Sequence, residues 1–259
     1  MANLIARLIE RKIVVWFDNF QSGKNAKSSL MKGEGEATDL IFNKKRLNEM
    51  LPPRFSVIRA SVKKLRWQLA LMTLGKDPLV LTMEGLDIEI QETATPATDR
   101  TKSSKGKKKK KRKNPSKSKR NAILEGIKVL IAGLNLKLQL QHTSQHRISG
   151  APQPYMSLEV EKIAVFNTNS QWQEVTDLGK IHVINESSGE ALGFKRLIVS
   201  GLTLHVLDSA QIPFSSSTDP AQPCLVFSDV RIVGGLAAKR RTADWKLLSY
   251  KAEVEVQEL

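Results

Sequence analysis

Six times along this chain an alternation of apolar and polar residues holds for several positions, slips by one and resumes. The slips fall at Val62-Lys63-Lys64-Leu65-Arg66-Trp67, Met83-Glu84-Gly85-Leu86-Asp87-Ile88, Ile131-Ala132-Gly133-Leu134-Asn135-Leu136, Val160-Glu161-Lys162-Ile163-Ala164-Val165, Val199-Ser200-Gly201-Leu202-Thr203-Leu204 and Phe227-Ser228-Asp229-Val230-Arg231-Ile232. Side chains of a strand alternate between its faces, so a slip either moves the apolar set to the other face or marks a bulge that keeps it on the same face. Glycine at three of the six slips favours a bulge or a sharp bend. Six long strands disturbed at corresponding points predict one strongly curved antiparallel sheet built from a repeated unit. The pattern leaves open whether the residues before the slips or after them line its inner face.

Other segments frame these strands. Leu4, Ile5, Leu8, Ile9, Ile13, Trp16, Phe17 and Phe20 recur at three- and four-residue spacings, which predicts an amphipathic helix from about residue 2 to 20 with Gly23 as its stop. Such a helix either packs on a core or lies on a membrane surface. Ser28 to Asn43 reads as two short strands joined at Gly33 and Gly35, and Lys44 to Leu51 as a short helix ended by Pro52 and Pro53. The two glycines lack the Lys-Ser/Thr of a phosphate loop. Glu92 to Lys119 is poor in apolar residues and reads as disordered, with smaller breaks at 142–154, 167–173 and 209–223. Trp245 to Val256 alternates again and predicts an open sheet edge. Residues 1–92 thus hold the helix, hairpin and first long strands, 93–120 a disordered basic linker, and 121–259 a continuation of the same sheet.

Charge and chemistry exclude several classes. The formal charge is +15, from 41 Lys and Arg against 26 Asp and Glu. Residues 101–120 hold 12 of those cations and no acid, which leaves 29 against 26 elsewhere. The tract reads as a solvated loop, as a patch for anionic lipid headgroups, or as a nuclear-import or nucleic-acid segment; no aromatic residue within it stacks on bases, which disfavours nucleic acid. A single cysteine, Cys224, excludes an intrachain disulfide, suits a reducing compartment with the cytosol as the default, and sits in an apolar run that predicts a buried structural thiol. No window reaches the roughly 18–20 uncharged apolar residues of a membrane-spanning helix. Charges among the first twenty residues break any secretory apolar core. His142, His146, His182 and His205 form no metal-ligand pattern, no nucleophile elbow is present, and neither a cofactor site nor a catalytic constellation is expected.

The order of amphipathic helix, Leu30-Met31-Lys32-Gly33-Glu34-Gly35-Glu36-Ala37-Thr38-Asp39-Leu40, short helix to Leu51 and disturbed strands resembles the chorein amino-terminal domain of bridge-like lipid transfer proteins. Lys32 to Gly35 and Asn167-Thr168-Asn169-Ser170-Gln171-Trp172 look most like the member-three branch. The resemblance covers nearly the whole chain outside the lysine tract. It departs at Leu69-Ala70-Leu71, where many relatives carry Ile-Pro-Trp, and in length, since family members are usually several times longer.

The resemblance implies a sheet curved into an open apolar groove that holds phospholipid acyl chains, while a longer protein bridges two membranes. The fold expected is therefore mostly β with an N-terminal helix and a strongly curved antiparallel sheet forming that groove. Independently, a single curved sheet with one apolar face and no second layer exposes more apolar surface than a soluble monomer tolerates. The expected lipid-binding residues are Ile88, Ile90, Leu134, Leu136, Leu138, Ile163, Val165, Leu202, Leu204, Val206, Val230 and Ile232. Trp16, Phe17 and Lys107, Lys108, Lys109, Lys110 and Lys111 are expected to face a membrane. The function expected is lipid binding and transfer without catalysis, in the cytoplasm and peripherally at membranes or organelle contact sites. Expected partners are glycerophospholipids, membrane surfaces and the remainder of a longer groove or a partner protein. The alternative is a structural or adaptor domain whose apolar face a partner protein covers.

Overall fold

A computed structural model describes residues 11, 13–21, 23–29, 33–70, 76–93, 126–140, 154–207, 224–243 and 247–258. Most of them belong to one curved, open sheet of ten strands. The strands are β1 (Ala26–Ser29), β2 (Glu34–Ile41), β3 (Phe55–Gln68), β4 (Val80–Glu92), β5 (Lys128–Gln139), β6 (Tyr155–Thr168), β7 (His182–Asn185), β8 (Glu190–Leu207), β9 (Cys224–Arg241) and β10 (Leu247–Glu258). Their order is β1-β2-β3-β4-β5-β6-β8-β9-β10, with β7 pairing the start of β8. A short helix, α1 (Lys44–Asn48), is capped by the Asn43 side chain, which accepts from the Arg46 N–H.

The sheet is mixed, not antiparallel throughout. β4 and β5 run parallel, Val80 beside Lys128 and Gln91 beside Gln139. Strand pattern reports faces and says nothing of direction; direction here is set by the connection between Thr93 and Gly126, which returns to the end where β4 began. Most of that connection, Lys107 to Lys111 included, lies outside the described residues.

The first expected helix ends before its periodicity does. Arg11, Ile13 and Val14 are helical, and the Trp16 and Phe17 N–H groups close the last turn on the Ile13 and Val14 carbonyls. Residues 1–10 lie outside the description. From Phe17 the chain joins the sheet's edge: Phe17 bridges Phe42, the Asp18 N–H donates to the Ile41 carbonyl, and the Asn19 side chain bonds both Ile41 N–H and the Asp39 carbonyl. The aromatic pair, 4.6 Å between ring centroids, takes Phe17 out of a helix that sequence spacing alone would continue.

The expected join at Gly33 and Gly35 resolves into two roles. Gly33, with φ +70°, ends the turn before β2, whereas Gly35 lies inside β2 opposite Ser28 and Trp67. The indole of Trp67 covers Gly35 so closely that a Cβ there would overlap the ring. Cys224, expected buried, opens β9 with its side chain exposed. Trp245 lies outside the described residues, and β10 begins at Leu247.

One element went unforeseen. Between β6 and β7, residues 169–181 fold back on the sheet. Asn169 accepts from the Gln171 and Gln173 N–H groups, Trp172 takes φ 62° and lies over Gly235, and Leu178 packs on Gly126. The Trp172 ring meets Phe194 edge-on at 5.9 Å, and its carbonyl accepts from Arg196.

Candidate functional site

The slips form a line across the sheet. Leu40, Val62, Leu86, Leu134, Val160, Leu202 and Val230 pair in sequence along one row across β2, β3, β4, β5, β6, β8 and β9. A second row runs Ala37, Leu65, Met83, Ile131, Ile163, Val199 and Ile232. In each strand from β2 to β8 two residues separate the rows, where regular alternation would put one. Both rows nevertheless point to the same face, because Val62 and Leu65 share one apolar cluster and Val160, Ile163, Val199 and Leu202 share another. The slip is therefore of the bulge kind, and the residues on both sides of it line one face.

Register is preserved because neighbouring strands slip together. Val62 pairs with Leu86 and Lys64 with Glu84 without a shift, and the same holds through β8. The extra residue is left-handed in the strands that run one way, at Asp39, Gly85, Gly133 and Gly201. In β3 and β6, which run the other way, Lys63 and Glu161 stand opposite and lie over Gly85 and Gly201. From β2 to β8 glycine or Asp39 at positive φ thus goes with one strand direction, while β9, which runs with β3 and β6, takes its own left-handed residue at Asp229, φ 55°. Ala37-Thr38-Asp39-Leu40 in β2 belongs to the line although its short apolar pattern concealed it. The β9 slip sits one row away, and register shifts between Val199 and Leu202 and between Leu202 and Leu204 compensate.

All twelve expected lipid-binding residues fall on this apolar face. Leu202 and Val230 are buried, and the other ten are half-buried. Three further residue rows extend it: Ile88-Leu136-Leu158-Leu204, Ile90-Leu138-Met156-Val206 and Leu81-Val129-Val165-Leu197. Sequence reasoning omitted Met83, Ile131, Leu158 and Val199, because it took only positions after each slip, and it omitted the β10 residues Tyr250, Val254 and Val256, whose strand has no slip. Their signal was the same alternation, read from the other side.

Cover over this face is uneven. Ile13, Phe17, Phe20 and Phe42 pack with Val62, Leu65, Trp67 and Leu86, so the face of β2 to β4 is closed. Phe17, expected to meet a membrane, is only 8% exposed, whereas Trp16 is 38% exposed. From β5 onward, among the described residues, the second apolar cluster is drawn from the sheet itself. Exposure rises toward the β10 edge, where Val254 is 70% and Val256 62% exposed. Among the described residues nothing pairs with the far edge of β10.

The opposite face is polar around the slips. There Lys63, Asp87, Asn135, Glu159, Glu161, Thr203 and Asp229 line a shallow furrow of about 610 Å³ that follows the glycines. Nearer β2, Arg66 bridges Glu36 at 2.9 Å and Glu84 at 3.2 Å, and Lys64 meets Glu36 at 3.0 Å. The Arg66 hydrogen bond, then that of Lys64, holds the Glu36 carboxyl below its ordinary range. No cluster of three or more metal-ligating side chains occurs among the described residues, and no helix among them is long and apolar enough to cross a membrane. His182 lies in β7 and His205 in β8, while His142 and His146 lie outside the described residues. The arrangement is a broad apolar face backed by a polar one.

No protein-family model matches the chain, and a search of curated proteins finds no match.

Proposed function

We propose that the chain is a lipid-binding and lipid-transfer module that holds phospholipid acyl chains in an apolar groove formed by the face of β5 to β10, as the amino-terminal part of a bridge-like lipid transfer protein. The observation that carries this reading is the continuity of the apolar rows: residues of seven strands pair along them, and among the described residues the N-terminal segment packs only on the first few strands. Each buried methylene contributes about 0.8 kcal/mol, so one acyl chain laid along these rows offsets the cost of leaving a bilayer. Exchange is then close to thermoneutral and needs no reacting side chain. Trp16 and the lysines 107–111 supply membrane contact in this reading, at the cytoplasmic surface of organelle contact sites.

Native mass spectrometry of the purified protein tests the proposal. Copurified phospholipid is expected, and Leu136→Asp with Leu204→Asp, two positions of one row separated by Leu158, should abolish it while Asn135→Asp on the polar face does not. A folded protein free of phospholipid and unable to take up fluorescent lipid would refute the reading and favour a face covered by a partner protein.

A further inference from the structure

β10 pairs with β9 from Leu247 to Glu258, and among the described residues nothing pairs with its other side. Every residue from Leu247 to Val256 is exposed, Tyr250 and Val254 each by 70%. At the opposite margin of the sheet β1 is only 4 residues long, whereas β10 runs for 12 and contains no proline. A long edge of this kind is a template for a further strand. Alternation divides β10 between the two faces. Tyr250, Ala252, Val254 and Val256 continue the apolar face from Ala238, Leu236, Gly234 and Ile232 of β9, while Ser249, Lys251, Glu253, Glu255 and Gln257 lie on the polar face.

We infer that this edge receives a second copy of the chain, β10 against β10, antiparallel about a two-fold axis through Ala252. Opposite charges directly across a ladder stabilise it and like charges destabilise it, so the charges of β10 select one register. Centred on Ala252, Lys251 of each copy faces Glu253 of the other, Ser249 faces Glu255 and Tyr250 faces Val254. A centre at Lys251 sets lysine against lysine, one at Glu253 sets glutamate against glutamate, and one at Val254 sets Glu253 against Glu255. A centre at Tyr250 puts Lys251 opposite Ser249 and forms no ion pair. Only the Ala252 register gains two ion pairs with no like charges opposed, and it keeps apolar residues opposite apolar ones. Lys251 already meets Glu253 of its own strand at 2.5 Å. In the pair each lysine therefore has one anion along its strand and another across it. The same patch serves both copies, as a two-fold interface requires. An axis perpendicular to the sheet leaves both apolar faces on one side, so the apolar field runs on into the second copy. This goes beyond the lipid reading and does not rest on it, since the groups that set the register lie on the polar face.

Sedimentation of the full chain over a concentration series tests the assignment. Wild type should dimerise with rising concentration. Lys251→Glu and Glu253→Lys, at positions 77% and 53% exposed, each turn both ion pairs across the axis into like-charge pairs and should weaken the dimer about tenfold or more. Mixed in equal amounts, the two variants should associate as wild type does, because in the mixed pair both positions face opposite charge again. Mixing repairs no defect within either chain, so recovery reports the register itself. Wild type that stays monomeric at every concentration overturns the proposal and leaves the edge to a strand of a different protein. A dimer indifferent to both substitutions, or variants that dissociate and do not recover on mixing, overturns the pairing of β10 with itself. Lipid uptake is read separately, so failure of either reading leaves the other standing.

Discussion

Gly133 sits at the centre of the slip line with φ +73°, and the nearest atoms to a Cβ placed there are the Gly85 Cα and N at 3.9 Å. Space is therefore not the obstacle to alanine; backbone conformation is. At ordinary φ a Gly→Ala change stabilises by about 0.4–1 kcal/mol through the unfolded chain, whereas a left-handed conformation costs an L-residue about 1–2 kcal/mol. Gly133→Ala should thus destabilise by about 1 kcal/mol net, a fall in Tm of roughly 2–4 °C for a chain of this size. Gly133→Asn should cost less, because a short polar side chain visits the left-handed region more readily. Gly201→Ala adds a collision, since its Cβ would overlap Glu161 Cγ and Cδ, and overpacking of that kind adds about 1–3 kcal/mol. Urea unfolding with an unchanged m-value measures all three. A stabilising Gly133→Ala would refute the left-handed assignment, and equal costs at 133 and 201 would refute the packing of Glu161 on Gly201.

Phe17→Ala should cost about 3 kcal/mol by the same assay, a value for a nearly buried ring packed on Phe42; a cost under about 1 kcal/mol would return Phe17 to the surface. Thr168 is fully buried and its hydroxyl has no hydrogen-bond partner among the described residues, so Thr168→Val should be neutral or stabilising by up to about 1 kcal/mol, and clear destabilisation would reveal a bond that the hydroxyl makes. For Glu36 the folded-state pKa is lowered, so its contribution is complete above the ordinary carboxylate value of about 4.3 and disappears as pH falls through the lowered value. The small difference in urea midpoint between wild type and Glu36→Gln should therefore be present at neutral pH and vanish in acid; a difference independent of pH would exclude the ion pair as its source.

Much of the sheet was legible because one physical quantity, the face to which a side chain points, is written directly in alternation. The slips of β3, β4, β5, β6 and β8 were readable for that reason, as were the twelve residues assigned to the apolar face. Direction and cover are not written there. The parallel pairing of β4 and β5 follows from where the chain between Thr93 and Gly126 returns, and no strand pattern encodes it. Trp172 looked like a residue of a polar break, yet it packs on Gly235, because a glycine in a strand leaves a hollow that a distant side chain fills. Phe17 has helical spacing with its neighbours, and a tertiary contact with Phe42 overrode it.

The shared slip also governs how this sheet tolerates insertion and deletion. Across β2 to β8 the strands behave like rows of a lattice with a common phase change, and pairing persists because every row changes phase at the same place. Removing one residue from a single strand, Gly133 for instance, creates a dislocation: one half of β5 stays in step with β4 and β6 while the other half turns its leucines to the polar side. Length changes within these strands are therefore forbidden singly and permitted only in concert or at a compensating bulge, as between β8 and β9. The loops carry no such phase, which leaves them as the places where the chain can grow.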